Sequence, residues 1–313
     1  MLSGAIKSDE DLNKLIFPMI ASPKLDGIRT LGHKDFGAVT RKLKPVPNKA
    51  TFNTFKTFFE LIIPSNHSLG LDGELCFSEG IHNFQRTSSA VMSFEGEPKL
   101  TYYVFDAFDT NPEGEFNQLP YEQRIEQLSY FIPTTKSIPI ESIEIKLLPY
   151  QVINDIQELL HYEQAYLAKG FEGVMLRSPH RPYKCGRSAI TKTQQHLVKL
   201  KRFVDAEGKI IDYGPLQTNQ NELESDNFGY AKRSSSKEGK IDTENLGYFT
   251  LEVLNGDFKG KRVQVGSGFS ADQRREFWLN KEQLLNKVVT FKYQAQGSKD
   301  APRFPIFKAF RKD

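Results

Sequence analysis

Short apolar and aromatic runs, each followed within three residues by Gly, Pro or Asp, recur along the chain: PMIASPKL, GIRTLGHKDFGAVTRKL, LGLDGELCF, LTYYVFDAF, FEGVMLRSP, GYFTLEVLN and KVVTFKYQA. Runs of this kind, bounded by turn residues, read as strands. The Asp-Gly pair of LGLDGELCF (69–77) makes that stretch a strand–turn–strand. Helical patterns lie between the strands. After Pro47-Asn48, residues Phe52, Phe55, Phe58, Phe59 and Ile62 fall on one helical face and are read as core. HNFQRTSSAVMSF (82–94), PYEQRIEQLSYFI (120–132) and YQVINDIQELLHYEQAYLAKG (150–170) read as further helices. Pro120 takes the first helical position of its helix, and Gly170 caps the end of the last. The chain is therefore expected to be α+β.

A length of 313 residues suggests two domains or one large one, and 24 Phe and 12 Tyr are enough for sizeable cores. A net charge of +3 permits a nucleic-acid partner without demanding one. The two cysteines, Cys76 and Cys185, make neither a disulfide framework nor a zinc site, and the six histidines have no metal-ligand spacing. The N-terminus carries acids where a signal peptide needs an apolar run, and no stretch has the apolar length of a membrane span. A soluble intracellular protein is expected.

Segment 215–246 is polar and rich in Ser, Asn, Lys and Gly. It reads as a long loop between the strands GKIIDY and GYFTLEVLN, of the sort that is functional or disordered. The short helix ADQRREFWLNKEQLL, the strand KVVTFKYQA and a tail GSKDAPRFPIFKAFRKD follow. Several short strands with one small helix suit a β-barrel such as an OB-fold. The expected division is 1–203 and 204–313.

The stretch SPKLDGIRT places Lys24 at the lip of an Asp-Gly turn, with Arg29 just beyond. Alone, KLDG is equally a hairpin end with solvated charges or the site of a lysine nucleophile. The rest of the chain bears on the choice. TRKLKP, LDGEL, YYVFDAF, FEGVML, LVKLK and PRFPIFKAFR follow KLDGIR in that order. This ordered set resembles that of the covalent nucleotidyltransferases: ATP-dependent DNA ligases, RNA ligases and mRNA capping enzymes. FGYAKRSSSKEGK, VGSGFSADQRREFW and EGVMLR followed by YKCGRS look like the minimal ATP-dependent DNA ligases of algal DNA viruses.

The resemblance implies a nucleotidyltransferase domain of antiparallel, ATP-grasp-like sheets with helices, then an OB-fold domain with a DNA-clamping latch at about 215–246. It implies that Lys24 attacks the α-phosphate of ATP, forms lysyl-AMP and expels pyrophosphate. A phosphoramidate needs a neutral amine, and nearby cations or a metal disfavour the ammonium form. Lys199 and Lys201, two apart on a strand, share a face and would reach the nucleotide phosphates. Glu74 becomes the ribose contact and a metal neighbour, and Glu172 a carboxylate for Mg²⁺ (or Mn²⁺). Asp26 orients Lys24 or works with the metal in later steps. Phe105 stacks on the adenine, with Phe171 a weaker candidate for its other face. Arg41 grips the 5′-phosphate of a nick, and Arg29 lies near the sugar or 3′-OH. Arg303 and Arg311 orient the β- and γ-phosphates in the first step. Lys232, Arg233, Lys237 and Lys240 contact DNA phosphates, which fix position without reading sequence.

The implied substrate is nicked duplex DNA, clamped by a monomer. Two alternatives remain at this point. One is an RNA ligase or GTP-using capping enzyme; RFPIFKAFR looks like the ligase form of the last motif, and the OB domain and insert look like those of DNA ligases. The other is a non-catalytic OB-fold nucleic-acid-binding protein, against which Lys24, both glutamates and both strand lysines argue.

Overall fold

The computed structural model describes residues 1–313 except 7, 63–67, 80–83, 136–141, 192, 226–230, 295–297, 299 and 312–313. Two compact units emerge, Met1–Lys201 and Arg202–Asp313. The first holds strands β1 (Gly4–Ile6), β2 (Met19–Pro23), β3 (Ile28–His33), β4 (Gly37–Thr40), β5 (Leu69–Phe77), β6 (Leu100–Asp109), β7 (Ile143–Leu147), β8 (Gln151–Ile153), β9 (Val174–Arg177) and β10 (Leu197–Leu200). Its helices are α1 (Asp9–Leu12), α2 (Lys49–Ile62), α3 (Phe84–Met92), α4 (Glu115–Gln118), α5 (Tyr121–Thr134) and α6 (Ile156–Ala168). The second holds β11 (Val204–Asn219), β12 (Leu223–Ser225), β13 (Ala231–Arg233), β14 (Lys240–Val253), β15 (Arg262–Val265), α7 (Ala271–Leu279), α8 (Lys281–Leu284), β16 (Val288–Gln294) and β17 (Arg303–Phe310).

Two five-stranded sheets build the first unit, in the orders β1-β10-β9-β2-β8 and β4-β3-β5-β6-β7. Each has its own core. Phe55, Phe58 and Phe59 of α2 are buried with Tyr102, Leu75 and Val104 of the second sheet. Each such ring contributes about 1.5–3 kcal/mol by leaving water. Asn48 caps α2, its Oδ1 accepting from the Thr51 amide at 2.9 Å. Met19, Leu159, Val174, Leu176 and Val198 belong to the core of the first sheet.

In the second unit β15-β14-β11-β16-β17 form one sheet. It closes where Ser267 bridges Ile306 and the Phe307 amide donates to the Ser267 carbonyl at 2.9 Å. Phe249, Phe291, Phe277 and Phe307 fill the barrel, Phe277 coming from α7. The observed fold is α+β, as expected: two five-stranded sheets with helices in the first unit and a closed five-stranded sheet in the second. No helix among the described residues is long and apolar enough to cross a membrane.

Several local expectations need correction. Asp72-Gly73 is not a turn, because β5 runs unbroken through it. The glycine is there for space: a Cβ would lie 2.6 Å from the Tyr102 ring. Segment 150–170 is not one helix. Gln151–Ile153 pairs with β2 as an edge strand, and Asp155 then starts α6 by accepting from the Glu158 amide at 2.8 Å. Pro120 is the N-cap of α5, one position before its first turn. The C-terminal tail is β17, an integral strand paired with β16. The polar insert is largely a two-stranded ribbon, in which Gln217, Thr218 and Asn219 pair with Asp242, Ile241 and Lys240. The small hairpin β12–β13 lies within the same segment.

Candidate active site

Lys24 stands where the chain passes from the first sheet to the second. Residues 24–27 join β2 to β3, and these strands belong to different sheets, so KLDG is a crossing rather than a hairpin. Gly27 lets the crossing press onto β5, since a Cβ there would meet the Leu75 carbonyl at 2.3 Å. A backbone exchange fixes the other side: the Lys24 amide donates to the Gly173 carbonyl at 2.8 Å and the Glu172 amide to the Lys24 carbonyl at 3.3 Å. That exchange lays Glu172 beside the lysine, and Lys24 Nζ donates to Glu172 Oε2. Lys201 Nζ lies 3.6 Å from Glu172 Oε1. One buried carboxylate therefore serves two ammonium groups.

Beside this pair lies a cavity of about 220 Å³. Lys24, Arg29, Arg41, Arg177, Arg187 and Lys199 line it, with Glu74 the carboxylate among its lining residues. Leu25, Phe105, Leu148, Met175 and Leu197 give it an apolar part, and Leu2, Ser3, Ser22 and Pro23 complete it. Half cationic and half apolar, it suits an anion joined to a flat ring.

Arg29 is held rigidly. Its Nε donates to Asp72 Oδ1 at 2.8 Å, its Nη2 reaches Asp72 Oδ2 and its Nη1 donates to the Met1 carbonyl. Burial favours the neutral acid at Asp72, and the guanidinium outweighs it, holding the carboxyl below its usual range. The Tyr183 hydroxyl donates to the same carboxylate at 2.9 Å. Glu74 faces Arg29 across β3 and β5. Burial pushes its carboxyl up to about 7, against the pull of Lys24 and Arg29. Lys199 is shifted down, by burial first and then by Lys24, Arg187 and Arg41.

Phe105 owes its position to a β-bulge. Asp72 pairs with Asp106 and Gly73 with Val104, so Phe105 is the extra residue on β6. Bulges re-aim side chains, and this one turns a ring out of the aromatic core into the cavity. Phe171 is not among the lining residues, but it lies in the apolar cluster of Leu25, Cys76 and Leu148, against which Phe105 packs. Asp26 is buried, 8% exposed, and close enough to Cys76 to help raise its thiol pKa after burial and Glu74.

Lys24, Arg29, Arg41, Glu74, Phe105 and Lys199 thus meet at one cavity, with Glu172 and Lys201 joined to it through Lys24. Arg303, Arg311, Lys232, Arg233, Lys237 and Lys240 belong to the second unit. There Arg311 Nη1 donates to Glu207 Oε2 at 2.7 Å, Arg303 lies in β17, and Arg233 Nη1 donates to the Asn221 carbonyl. Sequence reasoning missed Arg177, Arg187, Asp72 and Ser22. Ser22 Oγ is buried at the cavity and has no hydrogen-bond partner among the described residues. An arginine closing the apolar run VMLR was the available signal for Arg177.

Residues 1–201 match the ATP dependent DNA ligase domain family, and residues 243–311 match the DNA ligase OB-like domain family. A DNA ligase of Haemophilus influenzae is 27% identical over 300 residues, 94% of this chain and 87% of its own. The crystal structure of Chlorella virus DNA ligase-adenylate is 32% identical with a TM-score of 0.52, covering 99% of this chain and 98% of the viral one. A Lig E DNA ligase structure shares the fold at a TM-score of 0.68 and 22% identity, covering 99% and 98% of the two chains. By its family matches, its viral relative and its lysine-centred cavity, this chain belongs to the ATP-dependent DNA ligases, an adenylation domain followed by an OB-like domain.

Proposed function

We infer that the chain seals nicks in duplex DNA, joining a 3′-hydroxyl to a 5′-phosphate by passing one adenylyl group through Lys24. The placement of Lys24 against Glu172 at the cation-lined cavity carries this reading. In the first step Lys24 Nζ bonds to the α-phosphorus of ATP and the bond to pyrophosphate breaks. Glu172 is in place to receive the proton the amine gives up. Arg303 and Arg311 are assigned to the departing pyrophosphate. In the second step an oxygen of the DNA 5′-phosphate displaces Lys24, giving a 5′–5′ adenylate. In the third the 3′-hydroxyl attacks that phosphate and AMP leaves. Each is an in-line displacement, so positioning and charge neutralisation do most of the work.

Phe105 is assigned to the adenine, Lys199 and Lys201 to the nucleotide phosphates, Arg41 to the 5′-phosphate and Arg29 to the sugar beside it. Arg29 acts as a preset fork, because its partners hold it before substrate arrives. Asp26 is assigned to orienting Lys24 or to working with the metal in the later steps. A monomer, with Lys232, Arg233, Lys237 and Lys240 on DNA phosphates, completes the assignment.

The residues suit a Mg²⁺ or Mn²⁺ ion. No group of three or more His, Cys, Asp or Glu ligands gathers among the described residues. Mg²⁺ is commonly held by one or two carboxylates together with substrate phosphates, and Glu172 and Glu74 supply those. Bound there, the ion would neutralise charge on the reacting phosphate.

The test is an intact mass after incubation with ATP or GTP and Mg²⁺, on protein stripped with pyrophosphate, with the adduct mapped. An AMP adduct on Lys24, and none from GTP, is expected. Nick sealing by Lys24→Ala protein would overturn the assignment.

A further inference from the structure

Arg177, the last residue of β9, has no part in the assignments above. It is 4% exposed, yet it lines the cavity. Its guanidinium carbon lies 4.7 Å from the ring centre of Phe105 and 5.1 Å from that of Tyr121. Arg124 lies 5.5 Å from the same Tyr121 ring. Guanidinium and aromatic groups therefore alternate: Arg124, Tyr121, Arg177, Phe105. The Tyr121 hydroxyl ties the series to the strand by donating to the Phe105 carbonyl at 2.9 Å.

The electrostatics of this series are unequal. Arg124 makes two hydrogen bonds to Asp106, at 2.8 and 3.1 Å. Arg177 Nε stands 3.9 Å from Asp106 Oδ2, beyond hydrogen-bond distance, and has no hydrogen-bond partner among the described residues. Asp106 already has its counter-ion in Arg124, so the fold does not need a second guanidinium to neutralise it. Buried N–H groups are seldom left without partners. Beside the 3.9 Å approach to Asp106, the Arg177 guanidinium lies over two rings, Phe105 and Tyr121. Phe105 packs against the cluster of Leu25, Cys76, Leu148 and Phe171, and Arg177 adds a support to its ring. As the unpaired residue of a bulge, Phe105 takes its ring orientation from side-chain packing more than from the ladder.

We propose that Arg177 is a positioning residue that holds the Phe105 ring at the angle at which it receives the nucleobase. The inference rests on the reading of Phe105 as the base platform. It places Arg177, a cation in an anion site, in the base half of the cavity and not the phosphate half. Arginine is suited to this because its planar group stacks on aromatic faces where a lysine ammonium does not.

The test is a double-mutant cycle on lysyl-AMP formation by the full chain, with Phe105→Leu, Arg177→Met, Arg177→Lys and the pair Phe105→Leu/Arg177→Met. Arg177→Met is expected to raise KM for ATP by about threefold to thirtyfold, the range of a desolvated cation–π contact, with kcat little changed. Arg177→Lys should resemble it, and carries the test if the methionine variant melts early. The double variant should be no worse than Phe105→Leu alone, because neighbours acting through one ring are not additive. Inhibition by inorganic tripolyphosphate should be unchanged. Losses that multiply in the double variant would overturn the proposal. So would weaker tripolyphosphate inhibition in Arg177→Met, or wild-type behaviour in Arg177→Lys. If Phe105→Leu leaves KM for ATP unchanged, the base-platform reading fails and the proposal falls with it; a raised KM in Phe105→Leu with multiplying losses removes the proposal alone.

Discussion

Glu74 is caught between burial, which favours its neutral form, and the Lys24 and Arg29 cations, which favour its charge. Its folded pKa of about 7 lies above the ordinary 4.5, so between those values the folded chain keeps a proton that the unfolded chain has lost. Stability from this group is full below the ordinary value and is lost as pH rises through about 7. The melting-temperature advantage of wild type over Glu74→Gln should therefore shrink from pH 5 to pH 8, as read by thermal melts; a constant or growing advantage would contradict the shift. Arg124 makes a second case. It is fully buried against Asp106. Arg124→Met takes both hydrogen bonds from that carboxylate, leaves it facing the more distant Arg177 at 3.9 Å, and should cost about 3–5 kcal/mol in urea unfolding. That Lys24, Arg29, Arg41, Glu74, Phe105 and Lys199 belong together was legible in sequence, because the ordered motifs name them as one set, and the fold brings them to one cavity. Asp72, Tyr183 and Arg177 were not legible. Their importance lies in partners across strands, 43 residues apart for Arg29 and Asp72 and 111 for Tyr183 and Asp72.

The ribbon within the second unit leaves β11 and returns to β14 at facing residues, Asn219 and Lys240. A two-residue Asn-Gly turn is a natural closure for such a pair. Replacing 220–239 with Asn-Gly should leave lysyl-AMP formation near wild type and weaken nick sealing by an order of magnitude or more. Sealing assays on pre-adenylylated protein at several salt concentrations would check it. The salt dependence of DNA binding should also flatten, since each lost phosphate contact removes about 0.9 from the slope. Equal loss of both activities would make the ribbon a structural element. This ribbon was hidden in sequence because β12 is exposed along its whole length and its residues lack the apolar alternation that marks a half-buried strand. The strand β17 was hidden for another reason. Pro305 argues against a central strand, but β17 is at the end of the β11–β16–β17 ladder, with a register irregularity where Pro305 falls. Edge β8 was absorbed into a helix because its few residues continue the apolar pattern of α6. The helix α2 was plain because its phenylalanines repeat at the right interval and are buried.

Each unit of the molecule has a core of its own. Residues 1–201 should accordingly fold as a separate fragment and melt cooperatively, and scanning calorimetry of the whole chain should resolve two transitions. A single transition, with an unfolded fragment, would mean that the cores are interdependent. The shared position of Glu172, between the ammonium groups of Lys24 and Lys201, bears on the state of the whole enzyme. Adenylylation would replace one of those ammonium groups by a phosphate anion on the same side chain. The carboxylate would then face a repulsion where it had a partner. An enzyme carrying its adenylyl group and one without it would thus differ in local charge at one fixed point, and isoelectric focusing would sort a mixed preparation into the two. On the assignment of Lys24 proposed above, loading would be recorded at this one point as a change of charge.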